Sequence, residues 1–204
     1  CVIRTAAVHD DNPEIAAARA AGIPVFERAQ AWGALMSHYQ NALCVAGTHG
    51  KTTTTSMCTH IFLAAGRDPS VMIGGYLPIL GAGHRVGHGD TIIAESCEYC
   101  NSFLSFCPTV AVILNVEADH LDFFRDLEDI KSSFRAFARL VPEETGWVLV
   151  NGDNAHALEA VESCGRRLFR FSLPSPAADG RVEHLAWERG LPTFDVVIHG
   201  EKYA

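Results

Sequence analysis

The sequence predicts an α/β protein: a mostly parallel sheet of the phosphate-loop type, flanked by helices and preceded by the tail of a separate doubly wound unit. Three observations predict it. Apolar runs of strand length alternate with helical stretches along most of the chain. The run Ala42-Leu43-Cys44-Val45 leads straight into Ala46-Gly47-Thr48-His49-Gly50-Lys51-Thr52-Thr53-Thr54, a glycine loop that opens a helix. Before that loop, the chain already reads β-α-β-α.

Taken in order, Val2–Val8 reads as a strand. Asn12 is placed to cap a helix with Pro13 at its first position and the Ala-rich Glu14–Ala21 behind it. Gly22 ends that helix, Ile23–Phe26 is a short strand and Glu27–Tyr39 is helical. A second unit follows: strand 42–46, helix 51–65 and strand Pro69–Gly75. Gly74 to Gly89 carries six glycines with His84, Arg85 and His88, and reads as an ordered loop or hairpin. Thr91–Ala94 is a buried strand ending at Glu95. Thr109–Val116 is the strongest strand, apolar but for Asn115. Asp126–Val141 is an amphipathic helix, Trp147–Val150 a strand, Asn154–Cys164 a helix and Leu168–Phe171 a strand. After the turn region from Leu173 to Gly180, His184–Trp187 and Thr193–His199 read as antiparallel strands around Gly190.

The chain has 204 residues, 48% of them apolar, enough for a real core. It opens at Cys1 inside an apolar run, which reads as a piece of a longer protein. A formal charge of −8 and scattered Lys and Arg argue against a nucleic-acid partner, because no basic stripe is present to meet phosphates. No stretch of roughly 18 uninterrupted apolar residues predicts a membrane span. Seven cysteines without a disulfide framework suggest reduced thiols and a cytoplasmic home. Cys97 and Cys100 lack the second, matched pair that a structural zinc site needs, and read better as small apolar residues.

The loop carries the chemistry. Gly47 and Gly50 let backbone N–H groups of Thr48, His49 and their neighbours approach phosphate oxygens. Lys51 supplies positive charge for the β/γ end of a nucleoside triphosphate. Thr52 supplies a hydroxyl for Mg²⁺, and Thr53 follows on the positive end of the helix. The pattern departs from the ordinary G-x-x-x-x-G-K-[ST] form, which needs Gly where this chain has Val45. In a parallel sheet, ligands gather at the carboxyl ends of strands. Two further such ends are polar here. Glu95 closes one strand and could hold Mg²⁺ beside Thr52, since that ion takes oxygen ligands and needs few of them from protein. Asn115-Val116-Glu117-Ala118-Asp119-His120 closes the strongest strand, where His120 could ligate a second metal or meet a transferring phosphate. The plain alternatives are a capping or surface Glu and a packed His. Asn151-Gly152-Asp153 ends another strand and serves equally as a turn.

These residues resemble the Mur ligase family. The resemblance rests on the loop at 46–54, Ile73-Gly74-Gly75, Ala94-Glu95 with Ser102-Phe103-Leu104, and Asn115 through Asp122. It is closest to the branch that joins L-alanine to UDP-N-acetylmuramate in peptidoglycan precursor synthesis. The resemblance implies that residues 1–41 are the end of a UDP-sugar-binding Rossmann-like domain. It implies that 42–204 are most of a central ATP-binding domain, without that domain's adenine-holding part and without the third domain. The piece alone is then expected to be inactive. The implied reaction is ATP-driven amide formation through an acyl phosphate, with ATP and Mg²⁺ as cofactors. By the same resemblance Lys51, Glu95 and His120 are catalytic, Thr52, Glu95 and His120 hold metal, and Glu98 and Asn115 are candidate substrate contacts. Other branches of the family use a modified, metal-bridging lysine; Lys131 lies in the corresponding helix without a matching register, and this branch is not expected to use one. Two other readings stay open: a sister branch joining a preformed tripeptide to the same sugar nucleotide, and a phosphate-loop NTPase without ligase activity.

Overall fold

The computed structural model describes residues 1–5 and 7–203. The N-terminal unit is β1 (Val2–Arg4), α1 (Pro13–Ala20), β2 (Val25–Glu27) and α2 (Arg28–Met36), with β1 and β2 parallel. Asn12 caps α1 as its sequence foretells: the side chain accepts from Glu14 N–H and Pro13 opens the first turn. Gly22, at φ +68, turns the chain out of the helix. The expected strand Val2–Val8 is shorter than its apolar pattern. It stops at Arg4, whose guanidinium bonds Val8 O and Asp10, while Val8 N–H closes a turn onto Thr5 O. The part of that expectation at Ala6 lies outside the described residues.

The second unit is built on one sheet of ten strands among the described residues. Its elements are β3 (Asn41–Ala46), α3 (Lys51–Ala64), β4 (Ser70–Leu77), β5 (Ala82–Arg85), β6 (Thr91–Glu95), β7 (Val110–Ile113), α4 (Leu127–Arg139), β8 (Trp147–Asn151), α5 (Ala155–Val161), β9 (Leu168–Ser172), β10 (Gly180–Glu188), β11 (Leu191–Ile198) and β12 (Glu201–Tyr203). The order is β12-β11-β10-β9-β8-β7-β3-β6-β4-β5. From β10 to β4 every neighbouring pair is parallel; β5, β11 and β12 add antiparallel edges. Central β3 is thus flanked by β6 and β7, so the carboxyl ends of all three open on the same edge.

Several boundaries differ from the sequence reading. The expected strand 109–116 ends at Ile113, because Leu114 makes one last bond to Ala46 O and Asn115 then turns toward the glycine loop. The glycine-rich stretch is the β4–β5 hairpin, and β4 runs on to Leu77. β3 begins at Asn41, which pairs with Thr91. The short, exposed β12 shows no alternation and was not expected.

The core lies between the sheet and its helices. Phe103 stacks on Phe137 at 4.6 Å between centroids and meets Phe134 edge-on at 5.3 Å. All three are fully buried with Ile92, Ala94 and Ile113. Burying such aromatics contributes about 1.5–3 kcal/mol each. α4 supplies two of them from one face and is capped by Asp126, whose side chain accepts from Asp129 N–H. The N-terminal unit docks on this core through Trp32 and through the close approach of Gly33 to Ser105 O. The Tyr39 hydroxyl also bonds Ser70 at 2.8 Å.

Candidate functional site

The site grows from the turn between β3 and α3. Gly47 has φ +150, and a Cβ there would press on Leu114 Cβ at 3.0 Å and Asn115 N at 3.2 Å. Gly50, at φ +82, caps α3 in the left-handed conformation. The loop is held from β7's end. Asn115 accepts from His49 N–H at 2.7 Å and donates to His49 O at 3.1 Å, and its own carbonyl accepts from Thr48 N–H. The buried Thr48 hydroxyl accepts from Glu117 N–H at 2.9 Å. His49 points outward, 3.6 Å from the Glu117 carboxylate. Asn115, a candidate substrate contact in the sequence, clamps the loop in this structure.

Lys51 folds back over that loop. Its ammonium donates to Gly47 O at 2.6 Å and Thr48 O at 3.1 Å, and to the Glu98 carboxylate at 3.0 and 3.3 Å. Glu98, also expected as a substrate contact, is only 2% exposed and is committed to this lysine. The oxygen 3.3 Å from Lys51, Oε1, also lies 3.9 Å from His120 Nε2. His120 holds φ +51 and lies against the Tyr99 ring at 4.7 Å. The Tyr99 hydroxyl donates to Asp122, and that contact raises its pKa from the ordinary value.

A second pair lies on β6's side of the loop. Thr52 Oγ1 donates to Glu95 Oε1 at 3.0 Å, and Gly74 N–H donates to Glu95 Oε2 at 2.7 Å. Thr53 is exposed beside it on the first turn of α3. The structure thus brings Thr52 and Glu95 together, and Lys51, Glu98 and His120 together. Among the described residues no hydrogen bond or ion pair joins His120 to Thr52 or Glu95; the His120 ring faces Glu98 and Asp119. No group of three His, Cys, Asp or Glu among the described residues is arranged around a common point. The donor chemistry still suits a hard cation at the first pair, a hydroxyl and a half-buried carboxylate with open coordination left for water and phosphate.

Other sequence candidates take no part in these contacts. Lys131 is tied to Glu128 and Glu159 between α4 and α5. All seven cysteines are free thiols. Burial pushes the Cys44 thiol up to about 12 and makes it inert. Cys97 and Cys100 border a cleft of about 630 Å³ between α2 and the sheet, with Arg28, Trp32, Glu95 and Tyr99. Sequence reading assigned no role to Tyr99 or Gly74. Tyr99's partners are distant in sequence, and Gly74 acts through its backbone.

Family comparison matches residues 45–203 to the Mur ligase middle domain, and residues 2–40 to the Mur ligase family, catalytic domain. The chain is 44% identical over 202 residues to the UDP-N-acetylmuramate--L-alanine ligase of Lachnospira eligens, covering 98% of itself and 44% of that protein. With the ligase of the same name from Clostridium novyi it shares 41% over 201 residues, again 98% of itself and 43% of the relative. It therefore spans less than half the length of these curated relatives. Among solved structures it superimposes on UDP-N-acetylmuramate:L-alanyl-gamma-D-glutamyl-meso-diaminopimelate ligase from Neisseria meningitides with TM-score 0.83 at 25% identity, covering 98% of this chain and 65% of that one. On UDP-N-acetylmuramate-alanine ligase from Thermotoga maritima the TM-score is 0.80 at 26% identity, covering all of this chain and 45% of the other. No helix among the described residues is long and apolar enough to cross a membrane.

Proposed function

The chain belongs to the Mur ligase family, and on that premise we propose that it carries the ATP-handling part of an enzyme that joins L-alanine to UDP-N-acetylmuramate. Residues 1–41 are then the end of a UDP-sugar-binding domain and 42–204 part of the central domain, in a cytoplasmic protein. One observation carries the reading: three strand ends converge on one glycine loop, so that Thr52 meets Glu95 and Lys51 shares Glu98 with His120.

The chemistry is phosphoryl transfer followed by acyl transfer. A carboxylate oxygen of the sugar nucleotide attacks the γ-phosphorus, the bond to ADP breaks, and an acyl phosphate forms. The amine of L-alanine then attacks the acyl carbon, phosphate leaves and the nitrogen loses a proton. Such reactions need positioning and charge neutralisation above all. The loop amides and the positive end of α3 bind the phosphates, and Lys51 offsets charge at the γ-group. Thr52 and Glu95 would hold Mg²⁺, which when bound neutralises phosphate charge. His120 stands where a second cation or the acyl phosphate could be met.

The test uses the full-length protein with ATP, UDP-N-acetylmuramate and L-alanine. Formation of the amide with release of ADP and phosphate, abolished by Lys51→Ala, is the expected result. ATP turnover without any amide would instead support a plain NTPase. The likeness to the Neisseria ligase favours one second reading, in which the amine donor is a preformed tripeptide. Exclusive use of L-Ala-γ-D-Glu-meso-diaminopimelate would establish that reading over ours.

A further inference from the structure

An ammonium group has three N–H donors. Lys51 spends two of them on the carbonyls of Gly47 and Thr48, a bridge across the loop that it closes itself. The third goes to Glu98, 3.0 Å away. That third donor is the one left for a phosphate oxygen. Glu98 sits three residues beyond the end of β6, almost wholly removed from solvent, with Lys51 as the sole hydrogen-bond donor to its carboxylate among the described residues and the His120 ring 3.9 Å away. A carboxylate in that place is an anion at the point where Lys51 would meet the anion of its substrate.

We propose that Glu98 is a positioning residue that stands in for a phosphate oxygen on Lys51, so that nucleotide enters by exchange, with Lys51 passing from carboxylate to phosphate and Glu98 left facing His120. This rests on the ATP reading above and adds to it a resting state. Without nucleotide, the lysine is kept folded over the loop rather than free in solvent. With nucleotide, the ion pair has to be given up, and the buried carboxylate becomes a like charge beside the phosphate. Glu98 therefore opposes ATP binding while preorganising the residue that ATP needs.

The experiment is an ATP titration of the full-length protein in wild-type and Glu98→Gln forms, with crystals grown with and without a non-hydrolysable ATP analogue. Glu98→Gln keeps the shape and removes the charge. Its Kd for ATP is expected to fall about tenfold, the scale of one charge-assisted hydrogen bond. A purely packing role would leave ATP binding unchanged or weaken it, and either result overturns the proposal. In wild-type crystals the Lys51–Glu98 contact should be present without the analogue and replaced by a phosphate oxygen with it. Persistence of the ion pair beside bound analogue overturns the exchange whether or not the variant folds. Stability gives an arm independent of activity. Lys51→Met strands the carboxylate, so its melting temperature should drop, and adding Glu98→Gln should restore part of the loss. A double variant no more stable than Lys51→Met counts against the pairing. Failure of the wild type to bind ATP at all would overturn the ligase reading, and this inference with it, which sets that outcome apart from the others.

Discussion

The Thr52 hydroxyl donates to the Glu95 carboxylate across 3.0 Å, tying the first turn of α3 to the last residue of β6. Gly74 N–H fixes the other carboxylate oxygen at 2.7 Å, so Glu95 is aimed from two sides. A hard cation at this point would exchange the Thr52 contact for its own bonds and keep the carboxylate where it is. Glu95→Ala should therefore raise the Mg²⁺ concentration needed for half-maximal turnover of the full-length protein by at least about tenfold. A Mg²⁺ titration at saturating ATP reads this directly; an unshifted curve would remove Glu95 from the metal's surroundings.

Asn115 makes a two-point amide clamp on the backbone of His49. Its removal strands a loop N–H and a loop C=O together, at a cost of about 1–3 kcal/mol where water cannot replace the bonds. Because His49 is exposed, the lower end applies. Asn115→Ala should lower unfolding stability by about 1 kcal/mol and weaken ATP binding severalfold, while leaving affinity for the UDP-sugar unchanged. Denaturant unfolding with the two ligand titrations separates these effects. A selective loss of sugar affinity would return Asn115 to the substrate role read from the sequence.

The loop, its strand and its helix were legible because each step is local: the strand before, the glycines that free φ, the lysine and threonine after. Glu95 was legible because the end of a parallel strand is a place the topology assigns. Asn115 and Glu98 were recognised as polar residues near the site, but not their contacts to the loop and to Lys51. Both act on the loop from strands that become its neighbours only when β6 and β7 flank β3. Burial also decides Glu98, and a surface-type residue gives no sign in sequence that it will be enclosed. The over-long strand at 109–116 has the same origin, since apolar texture continues past the point where Asn115 leaves the sheet. The antiparallel strands after Gly180 were found, but not their length, because alternation fades across the bulge between Glu183 and Ala186.

Gly33 lies inside α2, where alanine would ordinarily stabilise a helix by about 1 kcal/mol. Here an added Cβ would lie 1.9 Å from Ser105 O, which is backbone and cannot swing aside. Overpacking of this kind costs about 1–3 kcal/mol or more and outweighs the helical gain. Gly33→Ala should lower the unfolding midpoint and loosen the N-terminal unit from the sheet, seen as faster amide exchange in α2. A stabilised variant would mean that the two units do not pack as closely as Gly33 requires.

Asp68 anchors the base of the β4–β5 hairpin. It accepts from His88 N–H at 2.8 Å and pairs with the Arg85 guanidinium, and these contacts hold its pKa below the ordinary 3.8. The sign follows from linkage: a carboxyl depressed in the folded state adds stability that is complete above the unfolded pKa and is lost as pH falls through the folded one. Asp68→Asn cannot ionise, so it lacks this contribution at every pH. Wild type should melt above the variant at neutral pH, with the gap constant down to about pH 5 and closing as the solution is acidified below the ordinary carboxylate value. The side chain is partly solvated, so added salt should shrink the neutral-pH gap as well. Melting curves from about pH 7 to about pH 2.5, at low and high salt, test both dependences. A gap that stays flat through the acid range would show that Asp68 is no more favourably charged in the fold than in the unfolded chain.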